Sequence, residues 1–313
     1  GQGTFGMARA KVLAAGDPDR SVALLRMSKL GSGRMPRVGS SVIDTRGTRL
    51  IRNWIDSIPA ASPDPHVARS RGDIAVAIKT LKAASNDTDK SAQIAALLNN
   101  TSGAVRLLQA ANNNELSTTT RLQVIATATK HPTPIVRDLF ETFLPEQQRV
   151  KRLGTTVQPA RILALKGDID RGRDVFFKTD GVQCKTCHRI AGQGKQVGPD
   201  LSGIGKTLSR VQILDSILQP SRKIEPKWLT YVVETVRGRV FTGLLVSKND
   251  KQLVLRDAKD TLITIAADDV DVLAAQQKSL MPDLLLRDMT ARQVADLTAF
   301  LASLKTPAAI KKN

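Results

Sequence analysis

Cys184-Lys185-Thr186-Cys187-His188 is the stretch from which the rest of the chain is read, because it holds both cysteines and one of the three histidines in the order C-x-x-C-H. That order is the attachment signature of a c-type haem: each thiol adds to one vinyl group of the porphyrin, and the adjacent histidine is carried beneath the iron. The sulfurs must then sit about one helical turn apart, which this spacing supplies. Two other chemistries use paired cysteines. A structural zinc site wants four ligands in two paired sets, and the other histidines, His66 and His131, lie far upstream with no ligand spacing. A thioredoxin-like dithiol wants its pair at the end of a strand in a βαβ unit, whereas residues 170–178 read as a helix.

A chain of 313 residues has room for two or three domains, and with aromatics at 3% their cores must be aliphatic. The net charge of +18 is spread along the chain: residues 1–160 hold 22 basic and 12 acidic groups, residues 161–313 hold 25 and 17. This is diffuse basicity and not a tail. There is no interleaving of aromatic and basic residues, no recognition-helix signature and no arginine-rich run, so nucleic acid is not an expected partner. A basic surface on a redox carrier would instead steer docking to acidic partner proteins. Lys185, Arg189 and Lys195 beside the cysteine motif read as a solvated rim with a possible docking role. No apolar run approaches a membrane span. The chain begins Gly1-Gln2-Gly3, without an initiator Met or a signal-peptide pattern, and is expected to be processed or part of something longer.

Residues 1–59 begin with loop-like glycines and a short amphipathic stretch at 21–30. Asp44 can then cap a helix whose apolar positions Leu50, Ile51, Trp54, Ile55 and Ile58 recur at helical spacing. Pro59, Pro63 and Pro65 end that helix and read as a linker. Residues 66–165 read as all-helical, over 73–81, 91–98, 104–111, 119–128 and 134–143, between Asn- and Ser-rich turns. The phrase His131-Pro132-Thr133-Pro134-Ile135-Val136-Arg137 resembles the opening of a HEAT-type repeat, but there is no clean period and a plain helical bundle is expected. Beyond the cysteine motif, 207–218 returns as an amphipathic helix. Segments 229–236, 239–247, 251–256 and 261–266, rich in Val, Ile, Leu and Thr and divided by turn residues, predict a four-stranded antiparallel meander. Helix is expected again only at 290–304.

These residues resemble a class I c-type cytochrome over 167–305. More narrowly, they resemble the haem-binding domain at the C-terminal end of large secreted dehydrogenase-like proteins of planctomycetes and verrucomicrobia. The resemblance implies that Gly172 and Phe176 pack across the last helix at Phe300 and Leu301, that Cys184 and Cys187 hold the haem, and that His188 is the proximal iron ligand. It further implies that the Pro199 carbonyl accepts the His188 Nδ1 hydrogen. Leu201, in the run Val197-Gly198-Pro199-Asp200-Leu201, joins the cofactor-binding set. The distal ligand of such cytochromes is a Met followed by Pro ahead of the last helix, which here falls on Leu280-Met281-Pro282, so Met281 is implied. A lone Met is otherwise core filler, the reading given to Met289. The gap from the cysteines to Met281 is longer than usual, and the meander at about 229–269 is read as an insertion that accounts for it.

The fold class expected is therefore mainly α: a cytochrome c haem domain at 166–308 with an inserted β meander, preceded by a helical region at 60–165. Residues 1–59 are expected to be the distal half of another cytochrome-like domain. That expectation rests on an internal match. Asp44, Ile51, Trp54, Ile55 and Ile58 stand at the same offsets from Met35-Pro36 as Thr290, Leu297, Phe300, Leu301 and Leu304 do from Met281-Pro282. The chain is then expected to start inside a truncated domain. The expected function is electron transfer through one covalently bound haem c with His188 and Met281 as axial ligands, in the periplasm or another extracytoplasmic space. The resemblance implies a dehydrogenase module as electron donor and no catalytic residue. The alternatives are a haem peroxidase or gas-binding sensor in which Met281 does not ligate, or an interaction module in which haem is auxiliary.

Overall fold

Through the first half of the chain, polar residues able to cap stand where the apolar periodicity begins, and each starts a helix. Asp44 accepts from the Gly47 amide ahead of α2 (Thr45–Ser57), which follows the short α1 (Val22–Met27). Asp64 caps α3 (Pro65–Ala83), Asn86 caps α4 (Asp87–Leu98), Asn100 caps α5 (Thr101–Asn112) and Ser117 caps α6 (Thr118–Ala128). The last helix of this series is α7 (Pro134–Phe140). The start of α3 corrects the linker reading of Pro65: its fixed φ and missing N–H suit the first helical position, behind Asp64 as cap. Pro63 lies outside the described residues. The computed structural model describes residues 3–36, 42–60, 64–179 and 184–305.

The chain divides into two units, Gly1–Lys151 and Arg152–Asn313. This differs from the boundaries expected at 59/60 and 165/166. Phe5, Met7 and Leu25 share one aliphatic core with Ile78, Leu97, Leu107 and Leu139, so the N-terminal segment and the helices that follow bury apolar surface together. Residues 152–165 go with the second unit. Leu153 and Gly154 donate backbone hydrogen bonds to the Met289 and Arg287 carbonyls, and Ile162 of α8 (Pro159–Leu163) is fully buried in the second core. In α2, Ile55 is buried, Ile51 is half-buried and Trp54 is 48% exposed; the residues at matching offsets near the C-terminus, Leu301, Leu297 and Phe300, are all buried.

The second unit is built on the crossing of α9 (Ile169–Lys178) with the last helix, and this crossing turns on Gly172. A Cβ there would collide with the Asp296 carbonyl and come within 2.7 Å of the Phe300 Cβ. Absence of a side chain at Gly172 thus lets the backbones approach closely and brings the rings of Phe176 and Phe300 to 6.2 Å between centroids. The buried Asp296 carboxylate fixes the pair by accepting from the Asp168 amide at 2.8 Å and from Arg171 Nε at 2.8 Å.

Between these helices the chain makes a small ribbon, β1 (Arg189–Ile190) with β2 (Gln193–Gly194), then α10 (Ile204–Thr207) and α11 (Arg210–Leu218). Strands β3 (Thr230–Thr235), β4 (Val240–Lys248), β5 (Gln252–Arg256) and β6 (Leu262–Ala266) form the expected antiparallel meander. A fifth strand, β7 (Val270–Gln276), returns to pair with β3, giving the order β6-β5-β4-β3-β7. It was not foreseen because its sequence, VDVLAAQ, ends in residues of weak strand preference. The insertion therefore runs through Gln276, a few residues short of Met281. Its own core is Val233, Leu253, Leu255 and Ile265. The final helix, α12 (Ala291–Ser303), opens with a reciprocal capping box between Thr290 and Gln293. The chain is thus mainly α, with an antiparallel sheet set into its second unit.

Candidate functional site

Cys184, Lys185 and Thr186 form a single 3-10 turn, and the His188 amide donates back to the Cys184 carbonyl at 2.8 Å. One turn of helical backbone therefore carries both thiols and the imidazole, which is the local geometry that two thioether bonds and a neighbouring iron ligand require. Both cysteines are free. Burial pushes the Cys184 thiol up to about 12, opposite to the low-pKa thiolate that a redox dithiol uses. Among the described residues no group of three or more His, Cys, Asp or Glu is placed to hold a metal ion, so the pair lacks the further ligands of a zinc site.

His188 Nδ1 lies 2.9 Å from the Pro199 carbonyl oxygen. A carbonyl can only accept, so Nδ1 carries the proton and Nε2 presents its lone pair. Burial lowers the His188 pKa against the opposing effect of the Pro199 hydrogen bond, favouring the neutral imidazole that a metal binds. The ring is seated against Gly198, where an added Cβ would stand 2.7 Å from Cε1 and 3.0 Å from Nδ1.

The backbone around this ring is tied in several places. The Gly198 amide donates to the Cys187 carbonyl at 2.7 Å, Lys195 to Lys185 at 2.9 Å, and Leu201 to Arg189 at 2.8 Å. Leu201 also packs on the second unit's core, as does Cys184. The sequence reading missed a small polar brace here. Asp200 Oδ1 accepts from the Ser202 amide at 2.8 Å, and the Ser202 hydroxyl accepts from the Ala191 amide at 2.8 Å. Burial would raise the Asp200 pKa, but hydrogen bonds from Ser202 and Arg189 outweigh it and hold the carboxylate below its ordinary range. The pattern Asp200-Leu201-Ser202 is an Asx-type turn signal and was legible in principle.

Met281 lies between β7 and α12 and is half-buried. Its amide donates to Ser279 Oγ at 3.1 Å, and the Ser279 amide donates to Ser221 Oγ at 3.2 Å, which ties the methionine loop to the segment after α11. Among the described hydrogen bonds, Cys184, Cys187, His188, Pro199 and Leu201 form one backbone-linked group, and Met281 belongs to a separate one. Met289 is 1% exposed in the core, as packing residues are. The insertion meets the cysteine-motif loop where Lys195 Nζ donates to the Lys259 carbonyl at 2.6 Å in the β5–β6 turn.

Residues 169–232, from α9 into β3, match the family model for cytochrome c. A cytochrome c-553-like protein of Synechocystis sp. is 35% identical over 71 residues, which cover 21% of this chain and 63% of the relative. The chain thus spans about 63% of the length of the curated relative it matches. Together with the turn that carries Cys184, Cys187 and His188, these matches support a c-type cytochrome domain in the second unit.

Proposed function

From a c-type cytochrome domain in the second unit, we propose that the chain binds one haem c covalently through Cys184 and Cys187 and works as an electron carrier. His188 and Met281 are the residues that would hold its iron. The observation that carries it is the Nδ1 hydrogen bond of His188 to Pro199, which leaves Nε2 as a lone-pair donor on the turn that bears both thiols. Haem, when bound, supplies a one-electron couple between ferric and ferrous iron, at a potential raised by a thioether ligand.

The protein's part is to hold that group rigid and dry. Cys184 and Cys187 would anchor it, Gly198 and Pro199 fix the seat and tautomer of the imidazole, and Leu201 packs on the core beside them. Ser279 and Ser221 hold the loop from which Met281 is presented. A rigid site needs little reorganisation when the charge changes by one, which suits a carrier.

The narrower likeness to planctomycete and verrucomicrobial haem-binding domains stays part of this proposal, supported by the β sheet between α11 and Met281. So do a dehydrogenase module as donor, acidic docking surfaces on the partners, and an extracytoplasmic location, where thioether attachment takes place. No described helix is long and apolar enough to cross a membrane. The match of residues 35–58 to residues 281–304 supports reading 1–59 as a partial cytochrome-like segment.

Met281→Ala tests the ligand choice. It should leave haem attached but open the iron to added imidazole or cyanide and abolish the weak red-end charge-transfer band of methionine on ferric iron. Met289→Ala should keep that band. Equal behaviour of the two variants rejects Met281 as ligand.

A further inference from the structure

The first unit contains a cavity of about 270 Å³, bounded by the turn Pro18–Arg20 and by α2, α3 and α5. Arg52, Arg71 and Arg106 line it together with Asp17, Asp19 and Asp56. We propose that it binds a small hydroxylated organic anion, its carboxylate or phosphate held by Arg52 and Arg71. This reading is independent of the haem assignment.

Arg52 carries the argument. Its side chain is only 10% exposed, yet among the described residues it makes a single hydrogen bond, from Nη2 to Asp19 Oδ1 at 2.6 Å. A guanidinium has five N–H donors, and leaving the others without an acceptor in a buried position is costly. No Arg52 nitrogen among the described atoms is both fully enclosed and unbonded, and Arg52 lines this cavity.

The neighbouring groups add to the surplus of donors. Arg71 Nε stands 4.0 Å from Asp17 Oδ2, beyond hydrogen-bond reach, and its side chain is half exposed. Arg106 gives Nη1 and Nη2 to Glu115, leaving Nε. The acidic residues are partly used up: Asp17 Oδ2 takes Arg20 Nε at 2.6 Å, and Asp19 Oδ1 takes Arg52. Burial raises the Asp19 pKa in spite of the adjacent Arg52. A ligand rich in acceptors is therefore favoured, and two arginine forks match the paired oxygens of a carboxylate or phosphate. The second Asp19 oxygen and Asp56 remain to accept from ligand hydroxyls, which distinguishes a hydroxylated anion from a bare one. The space equals that of roughly nine waters at ~30 Å³ each, enough for a sugar-sized molecule.

Calorimetric titration of the full chain with gluconate, glucose 6-phosphate, glucose and inorganic phosphate tests this. One-site binding of gluconate or glucose 6-phosphate, tighter than glucose and inorganic phosphate, is expected, and the better of the two identifies the anionic group. Arg71→Gln is the variant of choice because its half-exposed side chain can be changed without opening the core. It should weaken binding by about tenfold or more, as loss of a charge-assisted contact does. Lys79→Gln, on the same helix but outside the cavity, should leave binding unchanged. Failure of both organic anions to saturate the protein by about 10 mM, weaker than the ~1 mM of a marginal site, overturns the proposal. Equal weakening by Lys79→Gln and Arg71→Gln, or binding of inorganic phosphate as tight as that of the organic anions, overturns it as well.

Discussion

A methyl group at Gly198 would stand 2.7 Å from the His188 ring, closer than non-bonded carbons approach, so the imidazole or the Gly198 backbone must move. The Nδ1 hydrogen bond to Pro199, one residue away, would stretch with it. Gly198→Ala is therefore expected to keep its covalent haem while gaining a high-spin fraction, measured by visible absorption and by competition with added imidazole. A spectrum identical to the parent would mean that the seat of His188 on Gly198 is irrelevant to ligation. Both residues of this contact were visible in the sequence, but the contact was not: that Gly198 meets an imidazole ten positions upstream is a fact of loop closure. The turn that carries Cys184, Cys187 and His188 was legible because its signal is five consecutive residues. Ser221 and Ser279 were not, because their hydrogen bond joins segments separated by the whole β insertion.

Helices and turns whose signals are local stood out in the sequence. Asp44 caps where apolar spacing begins, and Gly238 at φ +72° and the Asn249 side chain make turns that separate the strands; the helix read over 207–218 instead starts at Arg210, behind Ser209 as its cap. Strand β7 escaped because it is held by pairing with β3, a long-range contact, more than by its own residues. The unit boundary escaped for the same reason, since Leu153 and Gly154 are claimed by carbonyls of Met289 and Arg287. Between helices, Glu115 joins Lys82 of α3 at 2.7 Å and Arg106 of α5 at 2.9 Å. Burial would raise its pKa, but those two hydrogen bonds prevail and lower it to about 2 from an ordinary value of 4.5. A depressed folded-state pKa contributes stability that is complete above the unfolded value and is lost as pH falls through the folded one. Glu115→Gln should thus lower the urea midpoint at pH 7, and the difference from the parent should shrink between pH 4.5 and 2. A difference that is flat across that range would remove the ionised pairing as the cause.

For the molecule as a whole, the charge of +18 has no concentration in one tail, so its field is broad. If electrons pass to a partner with an acidic surface, the second-order rate should fall steeply with ionic strength as the ~10 Å Debye length at 0.1 M shortens. A stopped-flow series against an acidic redox protein would show this, and a rate independent of salt would reject electrostatic steering. The electron-carrier reading depends on haem joined to Cys184 and Cys187, and the most direct measurement is the mass of the denatured polypeptide after expression in a host that matures c-type haem. The predicted result is one haem added per chain, and bare polypeptide for a Cys184→Ser/Cys187→Ser variant. Bare polypeptide for the parent, or a haem that persists in the double variant, would contradict it.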